Sequence, residues 1–129
     1  MIVDTSVLVA AERSAAHLAE VLEDDDQPAV AAITVAELLV GVELAEGVRR
    51  RRRAEQIDAL LAALAVEPYT GEIARVHAQL MAATRATGRP RGGFDLIVAA
   101  TAVATARTVI SSDQAAFTGL PGVAARIVG

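Results

Sequence analysis

The chain has 129 residues, 53% of them hydrophobic but only 2% aromatic, with no cysteine and a formal net charge of −4. That length suits one domain burying about two-thirds of its unfolded surface, and with so few aromatics the core must be built from Ala, Val, Leu and Ile. The missing cysteine excludes disulfides, thiolate metal sites and thiol nucleophiles, and because all 12 basic residues are arginine, chemistry that needs a lysine is excluded too.

Apolar runs stop well short of the ~20 residues that a membrane-spanning helix needs, and no charged-then-apolar leader precedes the first strand. A soluble, cytoplasmic chain is expected, with no membrane partner. Met1-Ile2-Val3-Asp4-Thr5-Ser6 reads as an apolar strand that delivers a carboxylate and two hydroxyls to its end. Val7 to Leu22 carries Leu8, Ala11, Ala15, Leu18 and Leu22 at helical spacing, followed by a solvated acidic turn, Glu23-Asp24-Asp25-Asp26. Pro28 to Ile33 is a short buried strand. Thr34 then opens a helix from about Val35 to Glu46, which Gly47 ends. From Val48 a second helix starts with Arg49 to Arg53 and keeps Ile57, Leu60, Leu61 and Leu64 on one face, before a strand over Ala65 to Pro68. Thr70 to Thr87 is a helix closed by Gly88 and Pro90. After a glycine-rich turn, Asp95 to Arg107 forms a helix so rich in small apolar residues that it is expected to be buried nearly all round. Thr108 to Ser111 and Arg126 to Val128 are the last strands. Strands alternating with helices predict a parallel sheet covered on both faces, an α/β architecture in one domain with right-handed crossovers.

In such sheets, ligands bind beyond the carboxyl ends of the strands. Asp4, Glu37, Asp95 and Asp113 all follow predicted strand ends and are therefore expected at one edge. Carboxylate oxygens suit Mg²⁺, and crowded acids repel one another unless a cation compensates. Each acid also has an ordinary structural account. Thr34-Val35-Ala36-Glu37 has the pattern of a capping box, and Asp4, Asp95 and Asp113 could cap helices or sit in their first turns. The four together favour a shared site. Thr5, Ser6, Ser111 and Ser112 could orient these acids or serve only as turn residues. Gly41, four residues after Glu37, could allow close approach on that helix face or simply pack. Arg85, Arg89 and Arg91, in the segment leading to Asp95, are candidates for nucleic-acid phosphates, whereas Arg49 to Arg53 read as a solvated face. His17 and His77 lack metal-ligand spacing, and Tyr69 reads as a loop anchor. Glycine-rich nucleotide loops and the serine-hydrolase elbow are absent.

Ile2-Val3-Asp4-Thr5-Ser6, Thr34-x-x-Glu37-Leu38-x-x-Gly41, Asp95-Leu96-Ile97-x-Ala99-Ala100-x-Ala102 and Val109-Ile110-Ser111-Ser112-Asp113 with Phe117, in that order, resemble the PIN-domain ribonucleases. The likeness is greatest to the VapC-type toxins of bacterial toxin–antitoxin pairs. The resemblance implies a three-layer α/β/α fold with a five-stranded parallel sheet and a Mg²⁺ or Mn²⁺ site on Asp4, Glu37, Asp95 and Asp113. It further implies cleavage of single-stranded RNA, a homodimer and a cognate antitoxin. Many relatives carry another acid where this chain has Ala116, which bears on a second metal position. The expected activity is that of a metal-dependent endoribonuclease. Asp4 and Asp95 would be the main ligands, and Glu37 and Asp113 would hold waters or a second ion. A catalytically weak RNA- or partner-binding module is the alternative. Receiver-type phosphoacceptors and haloacid-dehalogenase-type phosphatases normally need a lysine, and the latter a second aspartate where Ser6 stands.

Overall fold

The computed structural model describes residues 1–11, 15–23 and 27–129. Residues along the central strands alternate between two cores. Ile2, Ala29, Ala31 and Val109 join one apolar cluster and Val3, Val30 and Ile110 the other, as expected of strands whose successive side chains point to opposite faces. The elements in chain order are β1 (Ile2–Val3), α1 (Thr5–Ala11), α2 (Ala15–Leu22), β2 (Ala29–Ala31), α3 (Ala32–Glu43), α4 (Gly47–Ala62), β3 (Ala65–Glu67), α5 (Gly71–Thr87), α6 (Gly93–Ala104), β4 (Val109–Ser111), α7 (Gln114–Phe117) and β5 (Ala125–Ile127).

The five strands lie in the order β3-β2-β1-β4-β5 and every pairing is parallel, with Ile2 opposite both Ala29 and Val109. Residues of α1 to α4 fill the core on one face of the sheet and residues of α5, α6 and α7 the other. This is the expected three-layer α/β/α arrangement with a five-stranded parallel sheet. Helix α6 packs against β1, β2 and β4. Its Val98, Ala99, Ala100, Thr101 and Ala102 are at most 1% exposed, and the small side chains are what bring its backbone close to the sheet.

Several boundaries differ from the sequence reading. The helix expected over 7–22 corresponds to α1, which starts two residues early at Thr5, and to α2. Residues 24–26 of the acidic turn and the side chain of His17 lie outside the described residues. The strand expected to run to Ile33 stops at Ala31, and α3 begins at once. Gly47 opens α4 rather than closing α3. Helix α6 starts at Gly93, so Asp95 is its third residue, and α7 was not foreseen. No helix of the described residues is long and apolar enough to cross a membrane.

Candidate active site

Strand order reverses between β1 and β4, where loops leaving neighbouring parallel strands on opposite faces open a crevice. Asp4 stands at this point, directly after β1 and only 5% exposed. Its amide donates to the Ile110 carbonyl at 2.9 Å and its own carbonyl accepts from Val7 N at 3.1 Å, which fixes the backbone at the start of α1. The carboxylate is used otherwise. Oδ2 accepts from Ser6 Oγ and from Ser111 Oγ, both at 2.8 Å. A serine hydroxyl has one proton, so with both protons given to Asp4 the 3.3 Å approach of Ser6 Oγ to Ser111 Oγ is a contact rather than a third bond. Each hydroxyl oxygen also accepts from a backbone amide, Ser6 from Ser112 N at 3.1 Å and Ser111 from Asp113 N at 2.9 Å. The ends of β1 and β4 and the start of α7 are thus laced together through two hydroxyls.

Glu37 lies in the second turn of α3, half-buried, and its Oε1 accepts from Thr5 Oγ1 at 2.9 Å. It shares a cleft of about 330 Å³ with Asp95, and the half-exposed ring of Phe94 lines the same cleft. Asp113 is exposed and caps α7, accepting from Ala116 N on Oδ1 at 3.2 Å. For Asp113 the structural account therefore holds alongside any other role. Asp95 differs from the other three in that no described hydrogen bond reaches its carboxylate. Burial raises its carboxyl above the ordinary 3.8, and repulsion from Asp4, then Asp113, then Glu37 raises it further. The four acids therefore share one electrostatic field. Among the described residues no group of three acids or imidazoles is already gathered to hold a metal ion.

Two sequence expectations are corrected. The capping box is not formed. Ala31 is the residue before α3, Thr34 sits inside the helix, and its buried Oγ1 has no partner among the described residues. Glu37 bonds Thr5 instead of reaching back to an amide. Gly41 does not open the helix face to a ligand, because Arg53 Nη1 donates to its carbonyl at 3.1 Å and a Cβ there would meet that guanidinium at 3.4 Å. Arg91 also reaches across to α7, donating from Nη1 to the Ala115 carbonyl at 2.6 Å and from Nη2 to the Thr118 carbonyl at 2.8 Å. Arg85 and Arg89 are exposed near the end of α5. Ser112 contributes its amide to the network and its side chain is exposed. His77 bonds Tyr69 Oη at 2.9 Å, away from the acids. Ala116 is buried beside Phe117. Gly92, inside the glycine-rich turn, lines the same cleft as Glu37 and Asp95, and the doubled glycine before Asp95 is the sequence signal for it.

The PIN-domain family profile matches residues 1–120. The chain belongs to the PIN-domain family. No curated protein matches this PIN domain in sequence. Among solved structures it is similar to VapBC-5 from Mycobacterium tuberculosis, a member of the VapBC family of toxin–antitoxin systems. Identity is 32%, the TM-score is 0.80, and 98% of this chain and 97% of that one are covered. FitAcB from Neisseria gonorrhoeae is 28% identical with a TM-score of 0.79, covering 96% and 94%. VapBC2 from Rickettsia felis, solved bound to a promoter DNA fragment, shares the fold at a TM-score of 0.89 and 20% identity over 99% and 98%. The VapC-type resemblance read from the motifs is borne out in family and fold.

Proposed function

We propose that this PIN domain is the toxin of a toxin–antitoxin pair and cuts RNA by hydrolysing phosphodiester bonds, with Mg²⁺ or Mn²⁺ as cofactor. The observation that carries the reading is Asp95, an acid that feels three others and has no described donor of its own. A carboxylate in that condition is one that a bound cation would relieve. The donor set fits such an ion, since it consists of carboxylate oxygens without thiolate or imidazole. Asp4 and Asp95 would hold it, with Glu37 and Asp113 alongside. When bound, the cation supplies charge for the phosphate oxygens and lowers the pKa of water.

The chain's own groups do the rest. Ser6 and Ser111 occupy Oδ2 of Asp4 and leave Oδ1, to which no described group donates, available to a cation. Thr5 holds Glu37 by Oε1 and leaves Oε2 available to accept a proton from, or orient, an attacking water. Phe94 presents an aromatic face beside the acids, suited to stacking an unpaired base. Arg85, Arg89 and the remaining N–H groups of Arg91 provide phosphate contacts. Kinship with chains solved as VapBC assemblies supports a cognate antitoxin as protein partner, and a homodimer is proposed on the family pattern alone.

Cleavage of labelled RNA with Mg²⁺, with EDTA and by Asp4→Asn tests the proposal. The expected result is activity only in the wild type with metal, a loss of at least about 100-fold in the folded variant. Metal-dependent cleavage retained by Asp4→Asn would refute the assignment. A wild type that binds RNA but never cuts it would favour the binding-module alternative.

A further inference from the structure

Gly92 immediately precedes α6 with φ −60° and ψ 138°, a conformation open to any residue. Backbone freedom therefore does not explain the glycine. Its surroundings do. A Cβ at position 92 would lie 2.7 Å from Asp95 Oδ2, closer than such atoms can approach, and 3.4 Å from its Cγ. The carboxylate of Asp95 lies back over the start of its own helix, in the space that the missing side chain leaves. Gly93, next in sequence, has nothing within 4 Å of the same position, so the two glycines are not equivalent.

We infer that Gly92 is a positioning residue for the cation site: its bare backbone sets the direction of the Asp95 carboxylate toward Asp4 and Glu37. The inference rests on the metal reading above. The obstructed atom is the end of a short flexible side chain, so a substitution at 92 turns the carboxylate rather than breaking the fold. Its effect belongs to metal affinity. Groups that orient a ligand typically change affinity by about 10- to 100-fold.

The test measures Mn²⁺ binding to the full chain by calorimetry, with folding followed by circular dichroism. Gly92→Ala is the simple probe. Gly92→Ser adds the same Cβ while supplying a side chain favoured before a helix, which separates crowding from weakened capping. Both are expected to stay folded and to bind Mn²⁺ about tenfold or more weakly, while Gly93→Ala binds like the wild type. Wild-type affinity in both Gly92 variants would overturn the inference alone. Equal weakening in Gly93→Ala would also overturn it, because loop stiffness would then be the cause. No Mn²⁺ binding by the wild type would overturn the metal reading and this inference together.

Discussion

Asp95 carries a cost that its neighbours do not share. Asp4, Glu37 and Asp113 each accept a hydrogen bond from the protein, and Asp95 accepts none that is described. Its carboxyl is raised above 3.8 by burial and by the other acids, so between the unfolded and folded values the folded state holds more protons. By linkage, the stability this group allows is fully present below about pH 3.8 and is lost as pH rises through the folded value. Asp95→Asn has the same shape without the charge. In EDTA the variant should therefore melt higher than the wild type at pH 7, with the advantage shrinking toward pH 3. Thermal scans of both proteins at the two pH values check this, and an advantage that does not depend on pH would refute it. Mn²⁺ should raise the wild-type melting temperature and not that of the variant. The acids at 4, 37, 95 and 113 were legible in the sequence because each follows a strand end. Their hydroxyls were named as candidates, but the sequence left them equally open to a turn role, because Ser6 and Ser111 are 105 residues apart and only the sheet brings them together.

Arg91 shows how a short segment can join two elements that bear acids. It sits between α5 and α6, and its guanidinium holds the Ala115 and Thr118 carbonyls of α7 and its end, the helix that Asp113 opens. Removing both bonds should cost about 1–3 kcal/mol, a fall of several degrees in melting temperature. Arg91→Lys should recover only part of the loss, because one ammonium lacks the planar fork. An Arg91→Ala protein that melts with the wild type would refute this strap. The sequence did not disclose it, since an arginine in a flexible basic segment looks the same whether it faces solvent or carbonyls. Helix α7 escaped notice because four residues are too few for periodicity. The early start of α3 has another cause. Ala32 and Ile33 continue an apolar run, and such a run does not distinguish a buried strand from a buried helix. With the helix beginning there, Thr34 fell one turn too deep to cap it.

At the scale of the whole molecule, strand–helix alternation was enough to predict the layered sheet, because Val, Ile and Ala runs bounded by helical periods have few other ways to bury both faces. Net charge was a poorer guide to partners. The chain is acidic overall at −4, yet Arg85 and Arg89 are exposed near the end of α5. The proposed RNA binding should therefore weaken with salt despite the negative sum. Arg89→Ala should lower the slope of log affinity against log salt by about 1, measured by filter binding or fluorescence anisotropy; an unchanged slope would remove Arg89 from the interface. The lacing of Asp4 by Ser6 and Ser111 also bears on how such a chain is made. A ribosome releases the first strand long before residue 111 exists, and until then Asp4 lacks one of its two hydroxyls and has no β4 beside it. Under the proposed function, the acid at the end of the first strand gains its full set of donors only once β4 has been made and has paired with β1.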